Sequence, residues 1–132
     1  MGTWQDGTAE LTVPGRDTPV GLRIAASYRA RTRGLLGRDG IDGALMLTPC
    51  AGVHTFRMRF TIDVAYLDRE LTVLDVVTME PGRLGRIRFR SRHALEAEAG
   101  AMARWGVRPG VRLGIRPAGV QALPGPPRTE PA

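Results

Sequence analysis

From His54 to Tyr66 the chain keeps strict parity. His54, Phe56, Met58, Phe60, Ile62, Val64 and Tyr66 fall on one side, and Thr55, Arg57, Arg59, Thr61, Asp63 and Ala65 on the other. Successive side chains of an extended chain point to opposite faces, so this alternation predicts a β-strand with one buried face. The chain is poor in aromatics, and Phe56, Phe60 and Tyr66 lie here. The core is therefore expected to assemble on this segment, with Phe56, Phe60 and Ile62 buried.

The neighbouring segments suit the same architecture. Extended runs at 9–13 and 20–26 flank a turn bounded by Pro14 and Pro19, which predicts a first hairpin. Ser27 is placed to cap a short helix over 28–36, and the glycine-punctuated stretch 37–43 reads as a loop. A short strand at 44–47 precedes the organising segment. Asp68–Glu70 turns into an apolar, β-branched run at 71–79, expected as a central strand antiparallel to its predecessor. Between 83 and 92, Arg86, Arg88, Arg90 and Arg92 share a parity. They are expected as an arginine face on an edge strand, where charge discourages further pairing. A strand end near 95–100, a short helix over 101–105 and a last strand ending near 115 complete the pattern.

The expected fold is thus mainly β, a small antiparallel β-barrel or jelly-roll-like sandwich with one or two short helices. One domain is expected over 9–116, between a flexible lead at 1–8 and a disordered Pro-rich tail at 117–132.

The formal net charge of +6 raises the question of an anionic partner. Every basic residue is arginine, however, which reads as a compositional bias of the whole chain, and nucleic acid is not the expected partner. The single cysteine, Cys50, rules out an internal disulfide and suits a reducing, cytoplasmic setting. No apolar run approaches the roughly 20 residues of a membrane helix, and no signal peptide is visible, so no membrane partner is expected. A monomer or weak dimer is anticipated.

Candidate chemistry is sparse. Cys50 and His54 suggest a thiol–imidazole pair, but an extended chain would hold them about 13 Å apart. Cys50, His54 and His93 are too few and too scattered for a structural zinc, so neither metal nor cofactor is expected. A small-ligand site lined by His54, Phe56, Met58, Arg59 and Asp63 combines imidazole, guanidinium and carboxylate with apolar surface. An ion pair between Arg59 and Asp63 is the simpler alternative.

These residues also carry a resemblance. Arg33-Gly34-Leu35-Leu36-Gly37-Arg38, Cys50, the segment from His54 to Val64, Leu67-Asp68, Leu95-Glu96 with Ala99-Gly100, and Trp105-Gly106-Val107 with Pro109-Gly110 resemble the domain of unknown function 192 family. The resemblance spans about residues 20–115. Thr61 stands where many members carry proline, and Val111 where an acidic neighbourhood is usual. It implies a compact, mainly β barrel or sandwich with short helical insertions, and no known activity, cofactor or substrate. The reading that follows is a non-catalytic small-ligand or partner-binding module. The alternatives are a Cys50/His54 hydrolase or transferase, and weak nucleic-acid or acidic-protein binding through the arginine face.

Overall fold

The expected first hairpin is present in the computed structural model, which describes residues 4–118: β1 (Gly7–Thr12) pairs antiparallel with β2 (Val20–Ala25). β2 then runs parallel to β3 (Ala44–Leu47), with Leu22 opposite Ala44. The sheet is therefore mixed, where a mainly antiparallel one was expected. A parallel pair needs a crossover, and α1 (Tyr28–Arg33) with the loop after it supplies one. Ser27 caps α1, its Oγ accepting from the Ala30 N–H at 3.1 Å, and Gly34 ends it three residues before the expected end. Gly43, with φ of 71°, admits the chain to β3. A Cβ there would collide with the Gly21 carbonyl oxygen.

β4 (Ile62–Leu67) pairs antiparallel with both β5 (Val73–Met79) and β6 (His93–Glu98), and all six of its residues are buried. With β7 (Gly114–Pro117) the strand order is β5-β4-β6-β3-β2-β1-β7. The short α2 (Ala101–Trp105) follows β6. The run at 71–79 therefore lies at the end of the sheet order and not at its centre. The chain before β7 runs along its first residues and buries Val73. Val73 N–H donates to the Val111 carbonyl at 2.8 Å and Leu113 N–H to the Leu71 carbonyl at 3.0 Å. β6, read from sequence only as a strand end, is the interior strand between β4 and β3.

Residues 54–60 do not extend β4. Met58 N–H donates to the Thr55 carbonyl at 3.1 Å, and Arg57 takes a left-handed φ of 65°, so the chain turns. The turn resets the parity. Phe56 is 46% exposed, Phe60 is half-buried and only Ile62 of the three expected core residues is fully inside. Thr55, expected outside, is buried. Its hydroxyl donates to the Glu80 carbonyl at 2.6 Å and accepts from the Arg83 N–H at 2.8 Å, tying the turn to the end of β5.

The arginine segment is a loop and not an edge strand, apart from a bridge between Leu84 and His54. It is held by the Gly85 N–H on the Val53 carbonyl and the Arg88 N–H on the Ala51 carbonyl, both at 2.8 Å. At the N-terminus, Trp4 packs on the core and Asp6 accepts from the Ala26 and Ser27 N–H groups, so residues 4–8, expected as flexible, carry contacts. Pro117 pairs with Ala9 at the end of β7, and residues 119–132 of the expected tail lie outside the described residues.

Burial is divided between the two faces of the central strands. Leu95, Ala97, Ala65 and Leu67 join Leu11, Leu22, Met46 and Met102 on one face. Ala94, Val64, Tyr66 and Ile62 join Leu35, Leu45, Leu47 and Val53 on the other. Among the described residues no helix is long and apolar enough to cross a membrane.

Candidate functional site

The alternation along β6 places Glu96 on the same face as Ala94, in the layer of Val64 and Tyr66. Only 5% of the residue is exposed, and among the described residues no hydrogen bond or ion pair reaches its carboxyl. Burial alone pushes its pKa up to about 7. Buried polar groups normally find partners, so a largely buried carboxyl with none in the protein marks a candidate site.

Glu96 lines a cleft of about 400 Å³. α1 supplies Arg31 and Tyr28, the turn after it Leu35 and Leu36, the end of β3 Leu47, and the loop after β3 Cys50, Val53 and His54; Met58 lies beyond. The Nε of Arg31 is also buried without a partner. On neighbouring β4, the Tyr66 hydroxyl is likewise buried and unpartnered, and burial pushes its pKa up. Glu96, whose carboxyl has no protein partner, and Arg31, whose enclosed Nε has none, thus line one cleft of mixed polar and apolar character. A second cleft, of about 450 Å³, includes Asp63, Thr78 and Met102, but its carboxylate is already engaged.

The residues proposed from sequence divide between these places. His54, Met58 and Cys50 line the Glu96 cleft. Phe56 stacks on His54 with ring centroids 4.9 Å apart, outside the lining. Arg59 pairs with Asp39 at 3.2 Å on the exposed surface and not with Asp63. Asp63 is buried on the opposite face. It accepts from the Thr78 hydroxyl at 2.7 Å and the Gly100 N–H at 2.9 Å, anchoring the start of α2.

Cys50 and His54 share the cleft, but Cys50 Sγ donates to the Gly52 carbonyl at 3.2 Å. Burial pushes the Cys50 thiol pKa up, away from the thiolate a nucleophile needs. His93 is buried, hydrogen-bonded through Nδ1 to the Thr48 hydroxyl at 2.8 Å, and packed edge-on against Trp4. Burial first, then the charge of Arg92, lowers its pKa to about 4. No group of three or more His, Cys, Asp or Glu side chains gathers to hold a metal among the described residues.

The four arginines do not form a ladder. Arg88 turns inward, with Nη2 2.8 Å from Asp75 and its guanidinium carbon 4.1 Å from the Tyr66 ring centroid. Arg86, Arg90 and Arg92 remain exposed.

Sequence reasoning missed Glu96 and Arg31 as site residues. The available signal was Glu96 flanked by Leu95 and Ala97, within a run that pairs on both edges. Reading that run as a strand end hid the carboxylate's burial.

The fold recurs in other proteins, and the sequence has relatives. UPF0127 protein PH1112 of Pyrococcus horikoshii is 32% identical over 84 residues, covering 60% of this chain and 73% of that one. UPF0127 protein PYRAB11210 of Pyrococcus abyssi is 30% identical over 84 residues, 60% of this chain and 72% of that one. A crystal structure of a protein of unknown function from Novosphingobium aromaticivorans superimposes with a TM-score of 0.69 at 17% identity, covering 81% of this chain and 84% of that one. One from Sinorhizobium meliloti, described as a "putative transcription regulator", gives 0.71 at 21% identity, covering 86% and 98%. At such identities these two show a shared fold. The profile of the DUF192 family, described as "Uncharacterized ACR, COG1430", matches residues 9–115, the span that contains every cleft residue named above; the chain belongs to that family.

Proposed function

We propose that this domain is a non-catalytic binding module for a small ligand held in the cleft between α1 and β6. The observation that carries the reading is the Glu96 carboxyl, buried in that cleft with no partner of its own among the described residues. A ligand that donates to Glu96 would supply the missing hydrogen bond or counter-charge, and one that also accepts from Arg31 would satisfy the buried Nε. Leu35, Leu47, Val53 and Met58 offer its apolar body an apolar wall. The chemistry matched by these groups is a small amphoteric molecule with an ammonium or other donor at one end and an anionic group at the other.

Binding is favoured over Cys50 chemistry because the thiol is held protonated by burial and bonded to a carbonyl. The single cysteine supports a cytoplasmic setting. We also read the sheet as an almost closed barrel. The support is the Thr72–Arg112 bridge, which joins the start of β5 to the approach to β7, the two ends of the strand order.

Calorimetric titration with zwitterionic amino acids, and with simple amines and carboxylic acids as single-group controls, tests the function. Zwitterions should bind more tightly than either control, and Glu96→Gln should weaken them at least about tenfold, the loss of a charge-assisted hydrogen bond. Equal binding by wild type and variant, or no binding by any probe, contradicts the proposal.

A further inference from the structure

The loop from Pro81 to Arg92 contains five arginines, three large apolar residues and no acidic residue. Leu84 is 76% exposed, Ile87 59% and Phe89 93%. An isolated exposed apolar side chain needs no explanation, but three within six residues on one short loop do. Ile87 lies against Gly52, but most of the Leu84 and Phe89 surface meets solvent. Arg88 already anchors the segment inward, through Asp75 and the face of Tyr66.

The backbone of the loop is held to the rest of the fold. Hydrogen bonds tie Gly85 to Val53, Arg88 to Ala51, Ser91 to the Arg88 carbonyl and Arg92 to the Leu67 carbonyl. Arg88 points inward while its neighbours Ile87 and Phe89 stand exposed, and Arg83, Arg86, Arg90 and Arg92 are exposed around them. Of these four, only Arg83 has an acidic partner among the described residues, Glu80 at a loose 3.5 Å on the exposed surface.

We propose that this loop is a binding site for an anionic phospholipid bilayer: Leu84, Ile87 and Phe89 enter the headgroup–acyl boundary while Arg83, Arg86, Arg90 and Arg92 meet the phosphates. Exposed apolar side chains on a loop held by its backbone suit a deformable surface, which needs no complementary groove. Guanidinium groups beside them match the negative surface potential of an anionic leaflet, the cytoplasmic leaflet being such a surface. A single-stranded nucleic acid fits less well. Stacking platforms normally alternate with the charges, and Phe89 is the one aromatic in the loop. No membrane partner was expected from the sequence, and no helix among the described residues is long and apolar enough to span, but neither bears on a loop that only enters the interface. The proposal does not depend on the Glu96 cleft.

The test uses the full chain with phosphatidylglycerol–phosphatidylcholine vesicles against pure phosphatidylcholine, read by co-sedimentation. Phe89→Trp adds a fluorescent reporter at the loop tip, and a Phe89→Tyr protein, carrying only Trp4 and Trp105, gives the background. Binding should require phosphatidylglycerol, and the indole introduced by Phe89→Trp should shift to the blue and be quenched by brominated lipid. Arg86→Gln with Arg90→Gln should weaken binding about 25-fold, near fivefold for each charge. Leu84→Ser with Phe89→Ser should weaken it at least about tenfold and remove whatever binding survives high salt. These positions are exposed, so unchanged circular dichroism should accompany the loss. Equal binding to both vesicles, an unshifted indole emission, or full binding by the Leu84→Ser, Phe89→Ser protein overturns the proposal. So does tighter binding to an oligonucleotide at the same salt through the same arginines.

Discussion

Replacing Glu96 by Gln should stabilise the protein at alkaline pH, although it removes a charged residue from the fold's interior. The ordinary glutamate pKa of 4.5 is pushed up to about 7 by burial. A folded-state pKa above the unfolded one means stability fully present below about 4.5 and lost as pH rises through 7. A rise of this size corresponds to a loss of about 3 kcal/mol once Glu96 is fully ionised, above about pH 8. The Glu96→Gln protein has no proton to lose and should escape that cost, with little difference from wild type near pH 4.5. His93 has the opposite sign. Its pKa falls from 6.5 to about 4, so its contribution is present above 6.5 and lost as pH falls through 4. Between about 4.5 and 6.5 the two slopes oppose, and wild-type stability should be nearly flat. Glu96→Gln should unmask the His93 slope, so that stability climbs with pH across that window. Urea denaturation from pH 4 to 9 reads both effects, and about 3 kcal/mol corresponds to a midpoint shift of roughly 1–3 M. Parallel curves for the two proteins would refute the reasoning, because they would mean that Glu96 ionises in the folded protein as it does in the unfolded chain.

Asp63→Ala leaves the Thr78 hydroxyl and the Gly100 and Met102 N–H groups without their acceptor, and should cost about 3–5 kcal/mol in chemical denaturation. Ile62→Ala, in a fully buried strand position, should cost about 2–5 kcal/mol, while Phe60→Ala, half-buried outside the strand, should cost clearly less; the two melting temperatures compare them directly. Alkylation of Cys50 in the folded protein should be slower than in urea, with the folded-state rate still rising above pH 9, because burial holds the thiol protonated.

The strand inventory was largely legible because hairpins, glycine breaks and β-branched runs are local signals. The β1–β2 hairpin and the Ser27 cap are examples. The parallel β2–β3 pair was not legible, since strand direction depends on where the crossover after α1 lands. Residues 54–60 misled for a physical reason. Perfect alternation survives in the sequence, but one left-handed residue at Arg57 turns the chain and exchanges the fates of Thr55 and Phe56. Asp63 illustrates a related limit. β4 is buried on both faces, so outward parity did not mean solvent, and its carboxylate went to the start of α2. Cys50, His54 and Met58 line one cleft, whereas the sequence reading set Cys50 with His54 as a reactive pair and His54 and Met58 with Phe56, Arg59 and Asp63 as a ligand site. The groups that give their cleft its polar character, Glu96 and Arg31, come from distant elements that only the fold brings there.

The central claim, that the Glu96 cleft holds a small ligand, is tested most directly by a fragment screen on isotopically labelled protein observed by NMR. Amphoteric fragments should perturb the resonances of Arg31, Leu35, Cys50, Val53, Met58 and Glu96 together, and saturating ligand should draw the Glu96 pKa down from about 7. Fragments that gather instead around Val76, Ala103 and Arg108 in the cleft beside α2, or that leave the Glu96 titration unmoved, would contradict it.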